Sequence, residues 1–334
     1  MKILILGGTR FVGRHIAEAA LARGHDVTVF NRGQSDPNPD IAVEPLRGNR
    51  DGDLAALRGR RWDAGVDVSG YVPRIVRASV ELLAAAVDHY TFISTASVYD
   101  SPKAAGRIDE QAPIKTIKDD RREDYQDPAA YGALKALCEH AVEDAMPDQA
   151  LIARLSLVVG PRDPTDRFTY WPRRVARGGS VLAFDGPNRA VLPFIDARDI
   201  AWWIVMSVEA GLTGIFNLGG QPGVTIGDVL ETSRAVSRAS GASFVWVSEA
   251  FLLEHGVKPC SEIPLWVPRG RDDLAGLDST KAMDAGLRLR PLAKTIAETL
   301  AWDRTRPQDA DLLAGLAAAR ETELLRLWEA AHGR

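Results

Sequence analysis

Short, unbroken apolar runs alternate with amphipathic stretches through the first half of the chain. "KILIL" at 2–6, "DVTVF" at 26–30 and "YTFIST" at 90–95 read as strands covered on both faces, because such strands lose the polar–apolar alternation of a half-exposed one. "IAVEPLRG" is a weaker third strand, "AGVDVSG" a fourth, and the run 151–160 ("LIARLSLVVG") a further one. Helical stretches lie between them, from about 10 to 23 with "GH" as its stop and from about 73 to 88 opened by Pro73. Parallel neighbours need crossovers, so this order predicts an α/β fold with a doubly wound parallel sheet.

The second half is less regular. "GIFNLGG" at 214–220 reads as one more sheet strand and "TIGDVLETSRAVSRAS" as an amphipathic helix, whereas 161–190 and 240–290 are crowded with Pro, Gly and Trp. The pattern predicts a Rossmann core over 1–160, to which 191–239 returns. A smaller, interleaved substrate lobe takes 161–190 and 240–308, and a C-terminal helix lies within 309–334. Composition adds only exclusions. With 46% hydrophobic and 26% charged residues the chain is ordinary globular protein, and a net charge of -4 argues against a nucleic-acid or anionic-membrane surface. Two cysteines, Cys138 and Cys260, make no disulfide framework, and "ILIL" is too short for a membrane span or signal core. The expectation is a cytoplasmic protein with a small-molecule partner and neither membrane nor nucleic acid.

"GGTRFVG" at 7–13 sits between the first strand and the first helix, where glycines allow a tight turn and close approach to a pyrophosphate at the helix N-terminus. Gly7, Gly8, Thr9, Arg10, Phe11, Val12 and Gly13 are therefore candidate cofactor contacts, with Arg10 standing where a glycine is expected and placed in the first helical turn. NAD sites end the second strand on Asp or Glu. Here Asn31 and Arg32 stand instead, and two arginines converging on one small anion predict NADP(H) in preference to NAD(H). The alternative is that both are solvated surface arginines. Asn49 and Arg50 follow the third strand and are placed against the adenine. Ser69, Gly70 and Tyr71 follow the fourth and are placed past the pyrophosphate and nicotinamide ribose; ordinary loop chemistry is the alternative for each.

"DPAAYGALK" opens a helix, with Asp127 as N-cap and Pro128 at the first position. Tyr131 and Lys135 then lie one turn apart on one face. A free phenol titrates near pH 10, so it needs an adjacent ammonium to exchange protons at neutral pH. Thr95, at the end of a strand, supplies a hydroxyl for the substrate oxygen. Thr95, Tyr131 and Lys135 are the candidate catalytic set. Ser97, Tyr170, Trp171 and Trp266 are placed in the substrate pocket, with Phe168 beside them; the bland reading makes the aromatics lobe core. Arg173 and Arg174 are expected on the surface.

At this point the sequence resembles the extended short-chain dehydrogenase/reductases, the group of the NAD-dependent epimerases/dehydratases. "GGTRFVG" stands for its T-G-x-x-G-x-x-G, "STASVYD" for S-[ST]-x-x-V-Y-G, "YGALK" for Tyr-x-x-x-Lys, "RLSLVVGPRD" for R-x-x-N-x-Y-G-P and "PFIDARDIA" for F-x-H-V-x-D-x-A. The resemblance implies a Rossmann domain, the Thr95–Tyr131–Lys135 site and, in many members, a homodimer built on the Tyr131 helix. "GGTRF[VI]G" marks a divergent branch that includes chloroplast proteins linked to RNA and uncharacterised bacterial reductase-like proteins. Leu157, Leu192 and Ile75 stand where sugar-nucleotide epimerases carry Asn, Arg and Asn. These departures predict an NADP(H)-dependent oxidoreductase acting on a carbonyl or secondary alcohol. An epimerase or dehydratase of a sugar or sugar nucleotide is the enzymatic alternative, and a non-catalytic nucleotide sensor or RNA binder the other.

Overall fold

The computed structural model describes residues 1–34, 40–100, 107–119, 122–270, 276–307 and 310–333. The chain divides into two compact units. The first holds Met1–Ser156, Ala197–Gly219 and Ala275–Arg288; the second holds Leu157–Asp196, Gly220–Leu274 and Leu289–Arg334. Residues 220–239, expected in the Rossmann core, group with the second unit, and 275–288, expected in the lobe, group with the first. Among the described residues no helix is long and apolar enough to cross a membrane.

The first unit is built on strands β1 (Lys2–Leu6), β2 (Asp26–Asn31), β3 (Glu44–Arg47), β4 (Trp62–Asp67), β5 (Val87–Thr95) and β6 (Ala150–Leu155), with β10 (Gly214–Leu218) from later in the chain. They form one seven-stranded parallel sheet in the order β10-β6-β5-β4-β1-β2-β3. The expected doubly wound sheet is therefore present. Helices α1 (Phe11–Ala22) and α5 (Ala197–Glu209) pack on each other, as do α2 (Pro73–Leu83) and α3 (Pro128–Ala145). The α2/α3 layer closes a core of Val76, Val80, Leu83, Tyr90, Phe92, Cys138 and Val142. α2 stops at Leu83, short of the expected end near 88, because Val87 already starts β5.

The second unit carries two short parallel pairs. β7 (Leu157–Val159) pairs β9 (Phe194–Asp196), and β8 (Gly179–Phe184) pairs β11 (Ala242–Val247). The apolar run 151–160 is thus two strands: β6 ends at Leu155 in the large sheet, and β7 pairs elsewhere. Helices α4 (Tyr170–Ala176), α6 (Ile226–Ser237) and α9 (Leu292–Asp303) pack together, and α7 (Glu249–Glu254) and α10 (Ala318–His332) complete the unit. α8 (Thr280–Asp284) belongs to the first unit. α6 starts on a full capping box, in which Thr225 and Asp228 each take the other's backbone N–H.

Candidate active site

The glycine loop follows β1 directly. Gly7 (φ 112°) and Gly8 (φ 81°) take backbone that a side chain would strain, and a Cβ on Gly13 would stand 2.7 Å from the Gly8 amide nitrogen. Only glycines let α1 press this closely on the turn. α1 has no side-chain cap, so its first N–H groups remain to meet a phosphate. This cradle fits a dinucleotide pyrophosphate. Arg10 is not in the first helical turn: it is the extended N-cap, at φ -128° and ψ 143°, with an exposed side chain. An extended conformation suits any residue, which is why arginine replaces glycine there without strain. Phe11, the next residue, carries a positive φ (38°), and its ring meets His15 edge-on.

Asn31 closes β2 and its amide is spent on the protein. Nδ2 donates to the Gly7 carbonyl (3.3 Å) and to Thr9 Oγ1 (3.4 Å), while Oδ1 accepts from Gly33 N (2.7 Å) and Arg47 Nη1 (2.8 Å). Asn31 ties three loops together, a role the sequence did not suggest. Arg32 is exposed at the same tip.

The Arg50 side chain, expected against the adenine, is engaged within the protein. Its guanidinium forks onto buried Asp67 (2.6 and 2.7 Å), with Nη2 also donating to Ser79 (2.6 Å) and Nη1 to Ser69 (3.3 Å). The Ser69 amide (3.0 Å) and Tyr90 OH (3.1 Å) also donate to Asp67. A buried carboxylate demands such donors, and the long side chain of Arg50 answers it. Asn49 makes a turn, its Oδ1 accepting from Asp51 N. Ser69 Oγ donates to the Leu6 carbonyl at 3.1 Å. Tyr71 stacks on Tyr125 with centroids 5.0 Å apart, and Arg10 acts electrostatically on the Tyr71 phenol against the upward push of burial.

Lys135 points inward from α3. Its Nζ donates to the carbonyls of Gly70 and Ile93, both at 2.7 Å, and lies 4.0 Å from the centroid of the Phe92 ring. Burial pulls its pKa down from 10.5 to about 8, resisted by Cys138, Asp67 and Glu139 and aided by Arg50. The same burial pushes the Cys138 thiol up to about 12. Thr95 ends β5 and caps the turn Ala96–Val98, accepting from Ser97 N (3.2 Å) and donating to Ser97 Oγ (3.3 Å). Tyr131 stands on α3 one turn before Lys135, half-buried. Between them, Gly132 packs on the Ser97 carbonyl; a methyl there would overlap its oxygen and stand 2.8 Å from its carbon. The strand end with Thr95 and the helix turn with Tyr131 are thus in direct backbone contact.

Behind this junction lies a buried polar chain. Ser94 Oγ donates to Glu139, which accepts from the Nε and Nη2 of Arg154 (2.6 Å at the shortest); Arg154 Nη1 donates to Tyr99 OH (3.0 Å), which donates to Asn217 Oδ1 (2.7 Å). Glu139, one turn beyond Lys135, links α3 to β5 and β6. The spacing Tyr131–Lys135–Glu139 was its available signal.

The aromatic residues placed in a pocket are instead core of the second unit. Phe168, Trp171 and Trp266 are 0% exposed and Tyr170 4%. The Trp171 indole donates to the Pro264 carbonyl (3.0 Å) and the Trp266 indole to Glu249 (3.2 Å). Arg173 and Arg174 are not surface charges; they pair with buried Asp303 and Glu321, each at 2.6 Å. Leu157 packs on this unit's core, and the Leu192 amide donates to the Leu265 carbonyl at 3.0 Å.

The family model for the NAD dependent epimerase/dehydratase family matches residues 3–58 and 53–219. The chloroplast stem-loop binding protein of 41 kDa b from Arabidopsis thaliana is 32% identical over 114 residues, 29% of this chain; the match spans only 30% of that relative's length. UDP-glucose 4-epimerase from Corynebacterium glutamicum is 27% identical over 277 residues, 71% of this chain and 80% of that protein. The crystal structure of Thermus thermophilus UDP-glucose 4-epimerase in complex with NAD superposes at a TM-score of 0.67 with 21% identity, over 92% of this chain and 100% of that one. At that identity the likeness speaks to the fold alone.

Proposed function

The chain belongs to the NAD dependent epimerase/dehydratase family, and from that premise we propose that it is an NADP(H)-dependent oxidoreductase acting on a carbonyl or secondary alcohol of a small molecule. The observation that carries this reading is the contact of Gly132 with Ser97, which sets the helix of Tyr131 and Lys135 against the strand end of Thr95. A bound nicotinamide dinucleotide supplies the hydride donor or acceptor. The Thr95 hydroxyl holds the substrate oxygen, and the Tyr131 phenol exchanges a proton with it. Lys135, still mainly cationic at neutral pH, favours the phenolate, and one of its three N–H groups remains after the two carbonyls for a ribose hydroxyl. Ser97 adds a second hydroxyl beside Thr95.

Two features support NADP(H). No carboxylate ends β2, and Arg10 and Arg32 are exposed around that tip. The leucines at 157 and 192 offer no polar contact to a sugar-nucleotide diphosphate, which favours a less charged substrate. An assay of NADPH oxidation against a panel of ketones and aldehydes tests the reading. Tyr131→Phe lowers kcat about 100-fold or more in such an assay; undiminished turnover contradicts the mechanism.

A second reading, epimerisation or dehydration of a sugar nucleotide, is favoured by the length of the match to the Corynebacterium epimerase. Such an enzyme returns its hydride within each turnover. NAD retained by the purified protein, seen by mass spectrometry of the denatured supernatant, favours it over the first.

A further inference from the structure

We infer that Arg47, on the strand beside β2, is a specificity-determining residue that binds the 2′-phosphate of the cofactor's adenosine ribose. The inference rests on the NADP(H) reading and deepens it. In the parallel register Asn31 is the partner of Arg47, so the ends of β2 and β3 lie side by side. The side chain of Arg47 then turns across Gly33: a Cβ there would stand 2.9 Å from its Nε and 3.4 Å from its Cζ. Gly33 has φ 71° and no side chain, and both properties leave room for the guanidinium. The bond from Nη1 to Asn31 Oδ1 (2.8 Å) fixes the guanidinium at the tip.

The position matters because Asn31 itself cannot serve the ribose. Both of its amide hydrogens and both acceptor positions of its oxygen are used, on Gly7, Thr9, Gly33 and Arg47. An aspartate or glutamate at this place accepts from ribose hydroxyls. Here the same place presents an arginine held by an amide. Arg47 is exposed, as are Arg10 and Arg32, so a phosphate reaches it without displacing core. A guanidinium fork matches a phosphate face in a way a hydroxyl cannot exploit. The discriminating charge thus comes from the third strand as well as from the second.

Adenosine 2′,5′-bisphosphate and 5′-AMP differ only in the 2′-phosphate and need no catalysis, so titration calorimetry with these two probes isolates the group. Wild type is expected to bind the bisphosphate at least about tenfold more tightly than AMP. Arg47→Met is expected to lose most of that ratio while its AMP affinity stays within about twofold, and Arg47→Lys to fall between. A wild-type ratio near one overturns the NADP(H) reading and this inference with it. A wild-type preference kept intact in Arg47→Met overturns the role of Arg47 alone and leaves the NADP(H) reading standing. Unchanged AMP binding confirms that the variant is folded at the site.

Discussion

Gly132 lies so close to Ser97 that a methyl on its Cα would overlap the Ser97 carbonyl oxygen. This contact is between the helix that carries Tyr131 and Lys135 and the turn that Thr95 caps. Gly132→Ala must push α3 off that turn. It is expected to cost ~1–3 kcal/mol of stability, as overpacking of a tight contact does. Turnover should fall more than cofactor binding, because a shift near 1 Å at the reacting groups is felt mainly in the transition state. Urea unfolding and kcat measured side by side check this; a variant with full turnover removes the contact from the account.

Lys135 gives a pH signature. Folded, it loses its proton near 8; unfolded, it keeps it to 10.5. Between those values the unfolded chain binds more protons, so the lysine's contribution to stability rises with pH across that window and is constant below it. The unfolding free energy of wild type minus that of Lys135→Met should therefore increase from pH 8 to pH 10. A flat difference over that range contradicts the burial of a strained ammonium.

Arg50 and Asp67 form an ion pair with the carboxylate fully enclosed. Asp67→Asn leaves a buried guanidinium without its counter-charge and is expected to cost about 3–5 kcal/mol. The double variant Arg50→Met, Asp67→Val should recover much of this, because the pair's desolvation cost goes with it. Urea midpoints of the three proteins decide; a single variant as stable as wild type removes the pair as a structural element.

Asn31→Asp tests the tip of β2. The new carboxylate cannot donate to the Gly7 carbonyl and faces any 2′-phosphate with like charge. The KM for NADPH is expected to rise about tenfold or more and that for NADH to change little. Equal rises in both point to a general loss of loop order.

The parallel sheet was legible because its inner strands, such as β1, β2 and β6, are covered on both faces and show as unbroken apolar runs, whereas the exposed edge strand β3 gave only a weak signal. The glycine loop was legible from Gly7, Gly8 and Gly13 standing between a strand and a helix. The split at Ser156 was not, because β6 and β7 are equally apolar and only their partners, β5 and β10 against β9, separate them. Arg50 looked like a ligand contact, since nothing local reveals that Asp67, 17 positions on, is buried and needs it. Tyr170, Trp171 and Trp266 have the composition of a pocket wall, but composition cannot tell a wall from a core. Arg47 escaped notice because register, not sequence spacing, sets it beside Asn31.

The central claim is an NADP(H) site served by Thr95, Tyr131 and Lys135. Its most direct test is the thermal midpoint of the wild-type protein with saturating NADPH and, separately, NADH, since at equal concentration the ligand that binds the folded state more tightly stabilises it more. A clear upward shift is expected with NADPH and a smaller one with NADH at equal concentration. A larger shift with NADH, or none with either, would contradict it.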